Sequence, residues 1–331
     1  MAFDNIRLDK GLYTTGRSFT QALESVDPSE QYRGTAMEGL DAYERQLKRF
    51  GIRVSGAGSD RVEKFFSSAD TAALFPEYIA RAVRQGLERA DKLGDIVAAT
   101  TMIDGMDYRS VSSETDAGAD DPTAEGDALP RTRIRTKGVL VDVRKHGRVL
   151  SASYEALRYH RLDLFTVTLR QIGADIAKAL LADAVDVIIN GDGNANTAAG
   201  SVSMAGTALA YGDLIALWNS FDPFTMTTIL AGADMASEIL ALTELRDGCA
   251  GLDFHGSGKL VTPLGAQLIK SAAVPAGTLV ALDKNCALEM VKAGDIVTDY
   301  DKLMDRQLDR AAISACVGFA KIFPGAAAVM E

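Results

Sequence analysis

One stretch of the sequence has residue types that bind phosphate in other proteins. Residues 256–259 read Gly-Ser-Gly-Lys, which resembles the end of a phosphate-binding loop. That loop also needs a glycine six positions before its lysine and a Ser or Thr directly after it. Asp253 and Leu260 occupy those two positions here. The expected structure of the stretch is therefore a turn.

Two further stretches have carboxylate and amide side chains at spacings that suit cations. Residues 192–196 (DGNAN) imitate the start of a calcium loop, but Thr197 and Ser203 replace its glycine and its glutamate. Residues 299–305 (DYDKLMD) contain three aspartates. Solvated carboxylates are the default interpretation of such a cluster. No metal or other cofactor is expected.

Nucleophiles and bases are also not arranged for catalysis. No G-x-S-x-G stretch occurs. The histidines and cysteines show no spacing typical of a catalytic triad, a zinc site or a disulfide framework. They are His146, His160, His255, Cys249, Cys286 and Cys316. The sequence therefore predicts a protein that is not an enzyme.

The composition indicates a globular protein that does not bind nucleic acid tightly. The chain has 331 residues, of which 47% are hydrophobic, enough for the core of one large or two modest domains. A formal net charge of -10 would repel nucleic acid. A sequence-specific DNA or RNA binder is excluded on this ground. A protein that encloses nucleic acid without gripping it is not excluded.

The chain also lacks the signals for export or membrane insertion. Asp4, Arg7 and Asp9 lie where a secretory signal needs an apolar core. The apolar run 311–320 ends at Lys321 and has about half the ~20 residues that a membrane helix requires. We expect a protein that is made in a reducing cytoplasm and does not contact a membrane.

Residues 1–70 have the character of an arm, because their apolar residues are sparse and the polar stretch 54–60 follows them. Helical spacing of apolar residues predicts a helix over 37–50, with Leu40 and Leu47 on its apolar face. One such helix has too little core to fold alone. Its apolar face should therefore pack either on its own chain or on a neighbouring subunit.

A second helix is predicted from Pro76, a residue that suits a first helical turn, to Gly94. Short strands over 96–102 and 107–111 should follow it. A long helix is predicted over 162–189, closed by Asn190 and Gly191.

The region 103–149 has the charge pattern of a long hairpin. Its acidic stretch 112–130 contains six acidic residues and no basic one, namely Glu114, Asp116, Asp120, Asp121, Glu125 and Asp127. The basic residues that follow alternate with uncharged ones and predict an exposed strand. They are Arg131, Arg133, Arg135 and Lys137. A two-stranded ribbon is marginally stable by itself, so a contact outside its own domain should hold it.

The rest of the chain alternates short helices and strands. Helices are predicted from Asp213 and over 233–245, and strands over 225–230, 279–282 and 287–291. The run 311–323 predicts a buried strand. This alternation favours a mixed α+β lobe.

The order of these elements resembles the major capsid proteins of tailed phages, the fold typified by the Hong Kong-ninety-seven phage. The segment 74–86 (LFPEYIARAVRQG) is similar to the family's entry into its peripheral domain. The runs 274–303 and 305–329 are similar to the end of its axial domain and to its closing strand.

The resemblance implies an α+β fold with four parts. They are an N-terminal arm (1–70), a peripheral domain with a long spine helix (71–102, 150–204 and 300–331), an extension loop (103–149) and an axial domain (205–299). It also implies self-assembly into pentamers and hexamers of an icosahedral shell around a double-stranded DNA genome, which the wall contacts non-specifically. The subunit would be made in the bacterial host and would reside in the virion.

Partners other than sister subunits follow from the same resemblance. Some family members carry a cleaved helical segment of about a hundred residues, but only some 70 residues precede Thr71 here. Scaffolding is then a separate protein, or the arm is retained. A portal and decoration proteins are further expected partners.

Two sets of residues are predicted to contact adjacent subunits. The hairpin contributes Arg131, Arg133, Arg135, Lys137, Glu114, Asp116, Asp120 and Asp121, although a merely solvated acidic loop is the alternative. The arm contributes Leu40 and Leu47. A cell-encoded nanocompartment shell of the encapsulin type is the runner-up function, and a soluble α/β enzyme with an unrecognised site is a lower alternative.

Overall fold

The computed structural model describes most of the chain, with helices and strands throughout. The described residues are 2–13, 18–115, 122–153, 159–191, 197–246, 261–262, 264–303 and 307–331. The chain forms two compact units. Unit 1 comprises Met1–Ala90, Gly147–Ala177 and Ile296–Ala315, and unit 2 comprises Asp91–His146, Lys178–Asp295 and Cys316–Glu331. The four-part division inferred from the resemblance uses other boundaries and stays a prediction.

Helices α1 (Phe19–Val26) and α2 (Ala42–Arg49) of unit 1 lie in the region expected to be an arm. The predicted start of α2 at Met37 is wrong, because Gly39 adopts a left-handed conformation (φ 82°). Asp41 then caps the helix by accepting the backbone N–H of Glu44 at 2.8 Å. Gly51 follows the helix with φ 63°, which confirms the expected helix stop.

A buried ion pair holds these two helices in unit 1. The guanidinium of Arg45 is fully buried and its Nε donates to Asp27 at 2.8 Å. Asp27 also accepts the hydroxyl of Tyr32 at 2.6 Å. Buried charges are tolerated only when they are paired and hydrogen-bonded, as these are. The arm region is therefore a folded part of unit 1.

Helix α3 (Ala69–Ala90) begins seven residues earlier than the sequence predicts. Ser68 and Thr71 cap it reciprocally, since each side-chain oxygen accepts the other residue's backbone N–H. Pro76 consequently lies inside the helix, where it removes one backbone hydrogen bond. The helix also ends at Ala90, before the predicted stop at Gly94.

Helix α4 (Leu162–Asn190) confirms the predicted long helix, and Gly191 follows it with φ 77°. In unit 1 its first half packs on α3 with the two backbones in close approach. A Cβ on Gly86 or on Gly173 would lie 2.0 Å from a carbonyl oxygen of the other helix. Only glycine permits this crossing at these two positions.

Unit 2 contains a five-stranded sheet in the order β5-β12-β8-β6-β7. Its strands are β5 (Gly200–Val202), β6 (Thr228–Ala231), β7 (Gln267–Lys270), β8 (Leu279–Leu282) and β12 (Ala327–Met330). Every residue of β6, β8 and β12 is buried. Helices α5 (Tyr211–Asn219), α6 (Ala233–Ala241) and α7 (Thr243–Arg246) accompany the sheet and share its hydrophobic core.

The predicted helix over 233–245 is interrupted. Leu242 is extended (φ -57°, ψ 135°), which separates α6 from α7. The predicted helix from Asp213 and the strand over 279–282 are confirmed by α5 and β8.

The remaining long strand is β11 (Leu308–Lys321), which confirms the predicted strand near the C-terminus. In unit 2, β11 pairs antiparallel with β9 (Leu288–Ala293), and β9 pairs parallel with β1 (Ala99–Ile103). In unit 1, the first residues of β11 pair antiparallel with β10 (Val297–Leu303). Within the described ranges, none of the helices combines the length and the apolar character needed to cross a bilayer.

Candidate assembly interface

The predicted hairpin is present as a separate two-stranded sheet, here called the ribbon: β2 (Val111–Thr115), β3 (Thr132–Thr136) and the described residues 122–131 between them. The strands are antiparallel, with Val111 opposite Thr136 and Glu114 opposite Arg133. All five residues of β3 are exposed. The alternation of basic and uncharged residues therefore indicated an exposed strand correctly.

The two faces of β3 differ chemically because successive side chains of a strand point to opposite sides. Arg133 and Arg135 share one face. Ile134 shares the other face with Thr132 and Thr136, and this residue is 75% exposed. Leu129, which precedes β3, is 75% exposed as well. Strand β3 and the residues just before it thus present arginine and large apolar side chains to solvent together.

The carboxylate of Glu289 on β9 holds Tyr108 and Ser110, which lie just before β2, to the rest of unit 2. This side chain is 6% exposed and accepts the hydroxyls of Thr101 and Tyr108, both at 2.6 Å. Its second oxygen accepts the hydroxyl of Ser110. Burial and the bond to Glu289 raise the pKa of Tyr108 above its ordinary value, so that the phenol keeps its proton.

Lys137, which directly follows β3, also holds the ribbon to the rest of unit 2. Its Nζ donates to the carbonyl of Lys321 at 2.6 Å, and its backbone N–H donates to Ser110 at 2.8 Å. Lys321 is 2% exposed, and its own Nζ donates to the carbonyls of Ile188, at 2.9 Å, and Thr197. Lys137 therefore contributes to the fold of its own unit, in addition to any contact with a neighbour.

Beyond Lys137 the chain leaves the ribbon, so the two-stranded part of the predicted hairpin 103–149 is shorter than expected. Strand β4 (Val143–Ser153) pairs with β11 instead. In unit 2, His146 and Asp183 lie 2.5 Å apart, and Arg144 contacts Asp183 and Asp186 at 3.6 and 3.7 Å. These polar contacts, together with the apolar packing of Val141 against Val291, hold residues 141–146 on unit 2.

The other predicted contact residues are placed differently. Glu114 lies on β2, whereas Asp116, Asp120 and Asp121 lie outside the described residues. Leu47 is 7% exposed and packs within unit 1, which agrees with the first alternative for the α2 helix. Leu40 is half-buried. Contacts of these residues with another subunit stay predictions.

The search for metal-binding clusters covers the part of the chain that the structure describes. No group of three or more His, Cys, Asp or Glu residues in that part is placed to hold a metal ion. The residues 192–196 and 253–260 lie outside the described ranges, as does Asp305.

Solved structures with a similar fold are capsid and particle shells. The virus-like particle from Pyrococcus furiosus matches with a TM-score of 0.55 at 12% identity, over 77% of this chain and 98% of that chain. Microbacterium phage Oxtober96 matches with a TM-score of 0.54 at 11% identity, over 73% and 90%. The capsid of an empty GTA particle matches with a TM-score of 0.51 at 12% identity, over 73% and 89%.

These similarities define the class as the capsid-shell fold of α+β type. A family model described as phage capsid protein matches residues 136–309, a little over half of the chain. The chain belongs to this phage capsid protein family, and its function is to form the shell of a capsid. A comparison with curated protein sequences finds no match.

Proposed function

We propose that copies of the chain join into the pentamers and hexamers of an icosahedral shell through the ribbon, whose basic strand lies on an acidic surface of an adjacent subunit. The observation that carries this proposal is β3, a strand with all five residues exposed in a sheet of only two strands. Two-stranded sheets gain independent stability from further strands or from packing on another element. An adjacent subunit supplies that packing here.

Arginine is suited to this role because its planar fork forms oriented hydrogen bonds with carboxylates. Exposed charge pairs contribute little binding energy each, on the order of 0.2–1 kcal/mol. Their effect is on orientation and specificity, and the repetition of one contact around a closed ring makes weak contacts cumulative. Glu289 and Lys137 hold the two ends of the ribbon on unit 2, so every copy of the chain has the same ribbon geometry.

The finer partners belong to the same proposal. The shell encloses double-stranded DNA, and the net charge of -10 keeps the wall from gripping it. Scaffolding, portal and decoration proteins are separate chains, and the subunit is made in the cytoplasm of the bacterial host. The chain acts structurally and not as an enzyme. The arm, peripheral domain, extension loop and axial domain follow the boundaries given above.

The test is charge reversal on the ribbon. The triple variant Arg131→Glu, Arg133→Glu, Arg135→Glu should yield folded chains that fail to form shells, as seen by sedimentation and electron microscopy. The matched control replaces the same three residues with Lys, which keeps the charge, and should still form shells.

Normal shells from the glutamate variant would remove the ribbon from assembly. The content of the wild-type particles tests the enclosed partner. Particles that hold nucleic acid agree with a genome shell, whereas particles that hold only a cargo enzyme would favour the nanocompartment alternative.

A further inference from the structure

Unit 1 contains an open groove of about 560 Å³ that the described residues leave unfilled. Three segments that are far apart in sequence form it, namely residues 7–13, residues 66–76 and the start of β10. Its apolar lining residues are Leu8, Tyr13, Phe66, Ala69, Ala72, Ala73 and Pro76. A concave and largely apolar surface of this volume is within the range of small-molecule sites in proteins.

Pro76 weakens the backbone hydrogen bonding of α3 at the groove. Because proline has no N–H, the carbonyl of Ala72, one turn earlier, lacks its helical donor. The hydroxyl of Tyr13 donates to the carbonyl of Ala73 at 2.7 Å and accepts the backbone N–H of Glu77 at 3.2 Å. The groove wall therefore has a backbone acceptor without its usual donor, whereas the Tyr13 hydroxyl is already engaged.

The polar side chains at the groove are mostly hydrogen-bond acceptors. Asp9, Asp70 and Asp299 line the groove, and the described lining residues include one cation, Arg7. Asp70 accepts the backbone N–H of Leu8 at 3.2 Å, whereas Asp9 and Asp299 are exposed. Three carboxylates and one guanidinium leave an excess of negative charge. The groove therefore favours a ligand that combines an apolar body with positively charged N–H donors.

A buried hydroxyl on the same wall also has no partner. The Oγ1 atom of Thr298 is buried, and it makes no hydrogen bond among the described residues. Buried polar groups are normally hydrogen-bonded. The wall that β10 contributes thus lacks a polar contact directly beside the exposed carboxylate of Asp299, independently of the charges at the groove.

We infer that this groove is a binding site for a small amphiphilic amine, a ligand with one protonated amino group on an apolar body. The apolar body packs on Phe66, Ala72 and Pro76, and the ammonium group lies toward the carboxylates of Asp9 and Asp299. This inference does not depend on the ribbon or on the way in which shells form. Because the ligand contacts all three segments of the groove, it stabilises the folded state of unit 1.

Isothermal titration calorimetry on the unassembled full-length chain tests the chemistry of the ligand. The probes are n-octylamine, n-octanol and n-octanoate, which share one apolar body, each used below the concentration at which it forms micelles. One octylamine should bind per chain, about three- to tenfold more tightly than octanol, because exposed charge pairs contribute little each. Octanoate should bind more weakly than octanol. Equal affinity for the amine and the carboxylate would overturn the inference, as would the absence of saturable binding.

A charge-removing variant locates the amino group. The double change Asp9→Asn, Asp299→Asn preserves the side-chain shapes, and the amide oxygen at position 9 can still accept the N–H of Gly11. It should lower the affinity for octylamine to that for octanol and leave the affinity for octanol unchanged. The matched control, Glu30→Gln with Glu38→Gln, removes two exposed carboxylates elsewhere in unit 1 and should alter neither affinity. Octylamine affinity that survives the first double change would overturn the assignment to this groove.

A groove-filling variant locates the apolar body. Ala72→Phe places a ring in the groove and should abolish the binding of both octylamine and octanol. Circular dichroism checks that the variant folds, and Ala69→Leu, a smaller change at an exposed lining residue, takes its place if it does not. Unchanged binding of both probes to a folded filling variant would show that they bind elsewhere and would overturn the inference.

Discussion

The ribbon and the five-stranded sheet of unit 2 are both held by backbone hydrogen bonds between strands, but they differ in burial. Every residue of β6, β8 and β12 is buried in a continuous core, whereas every residue of β3 is exposed. The free energy of folding comes mainly from buried apolar surface, so the sheet stabilises the subunit. The exposed ribbon buries little apolar surface and adds little to that stability, and under the proposed function it serves assembly instead.

The largest expected effect is the difference between replacing a buried isoleucine with alanine and making the same change at an exposed isoleucine. Ile229→Ala on β6 removes a fully buried side chain and should destabilise unit 2 by about 2–5 kcal/mol. Ile134→Ala on the ribbon should change the free energy of unfolding by less than about 0.5 kcal/mol. Urea unfolding of the unassembled chain measures both, followed by the fluorescence of Trp218, the only tryptophan.

If the two substitutions lowered the free energy of unfolding by similar amounts, the ribbon would contribute to folding as the core does. That result would contradict the difference between ribbon and core. Ile134→Ala should instead act on assembly, where it removes apolar surface from the ribbon.

A smaller effect is expected at the junction between ribbon and core. Glu289→Ala leaves the hydroxyls of Thr101, Tyr108 and Ser110 without their acceptor and should cost about 3 kcal/mol. Thr101→Val removes one of these bonds and should cost about 1 kcal/mol. Thermal unfolding of unit 2 measures both, and equal effects would show that the three hydroxyls do not act through Glu289.

The smallest expected effect is a pH dependence that arises from Tyr78 in unit 1. Burial raises the pKa of Tyr78 from 10.0 to about 12, and its hydroxyl donates to the carbonyl of Leu162 at 2.8 Å. The raised pKa means that the folded state retains this proton more tightly. The stabilisation is complete below pH 10 and is lost as the pH rises toward 12.

By pH 11 this group should have cost unit 1 about 1 kcal/mol. Tyr78→Phe should remove that part of the alkaline slope, and denaturant titrations at pH 8 and pH 11 measure the difference. An unchanged slope would contradict the assignment.

The elements that the sequence predicts well are those governed by local periodicity. Helix α4 begins at the predicted Leu162 and ends within a residue of the prediction, because a long apolar stripe and Asn190-Gly191 determine it locally. Strand β8 matches its apolar run, and β3 matches its alternation of charge.

The elements that local patterns miss depend on tertiary contacts. The sequence does not predict strands β7 and β12, because their pairing partners lie elsewhere in the chain and short apolar runs do not distinguish strand from loop. The sequence places the start of α3 at Pro76, a residue that suits a first helical turn, whereas the Ser68 cap precedes that position.

The same distinction between local patterns and tertiary contacts applies to the candidate site. The basic strand could be found from alternation alone, and the exposure of Arg131, Arg133 and Arg135 agrees with it. The open groove in unit 1, lined by Leu8, Ala72 and Thr298, could not be found from the sequence, because distant segments bring these residues together without a shared motif. The anchoring role of Glu289 also gave no local signal, since its three donors lie some 180 residues away.

Amide hydrogen exchange tests the central claim most directly, by comparing the unassembled chain with the assembled shell. The account predicts that the amides of β2 and β3 exchange quickly in the unassembled chain and become strongly protected in the shell. The amides of β6 and β8 should be protected in both states. Ribbon amides that exchange at the same rate in the two states, whether fast or slow, would contradict the claim that a neighbouring subunit completes the ribbon.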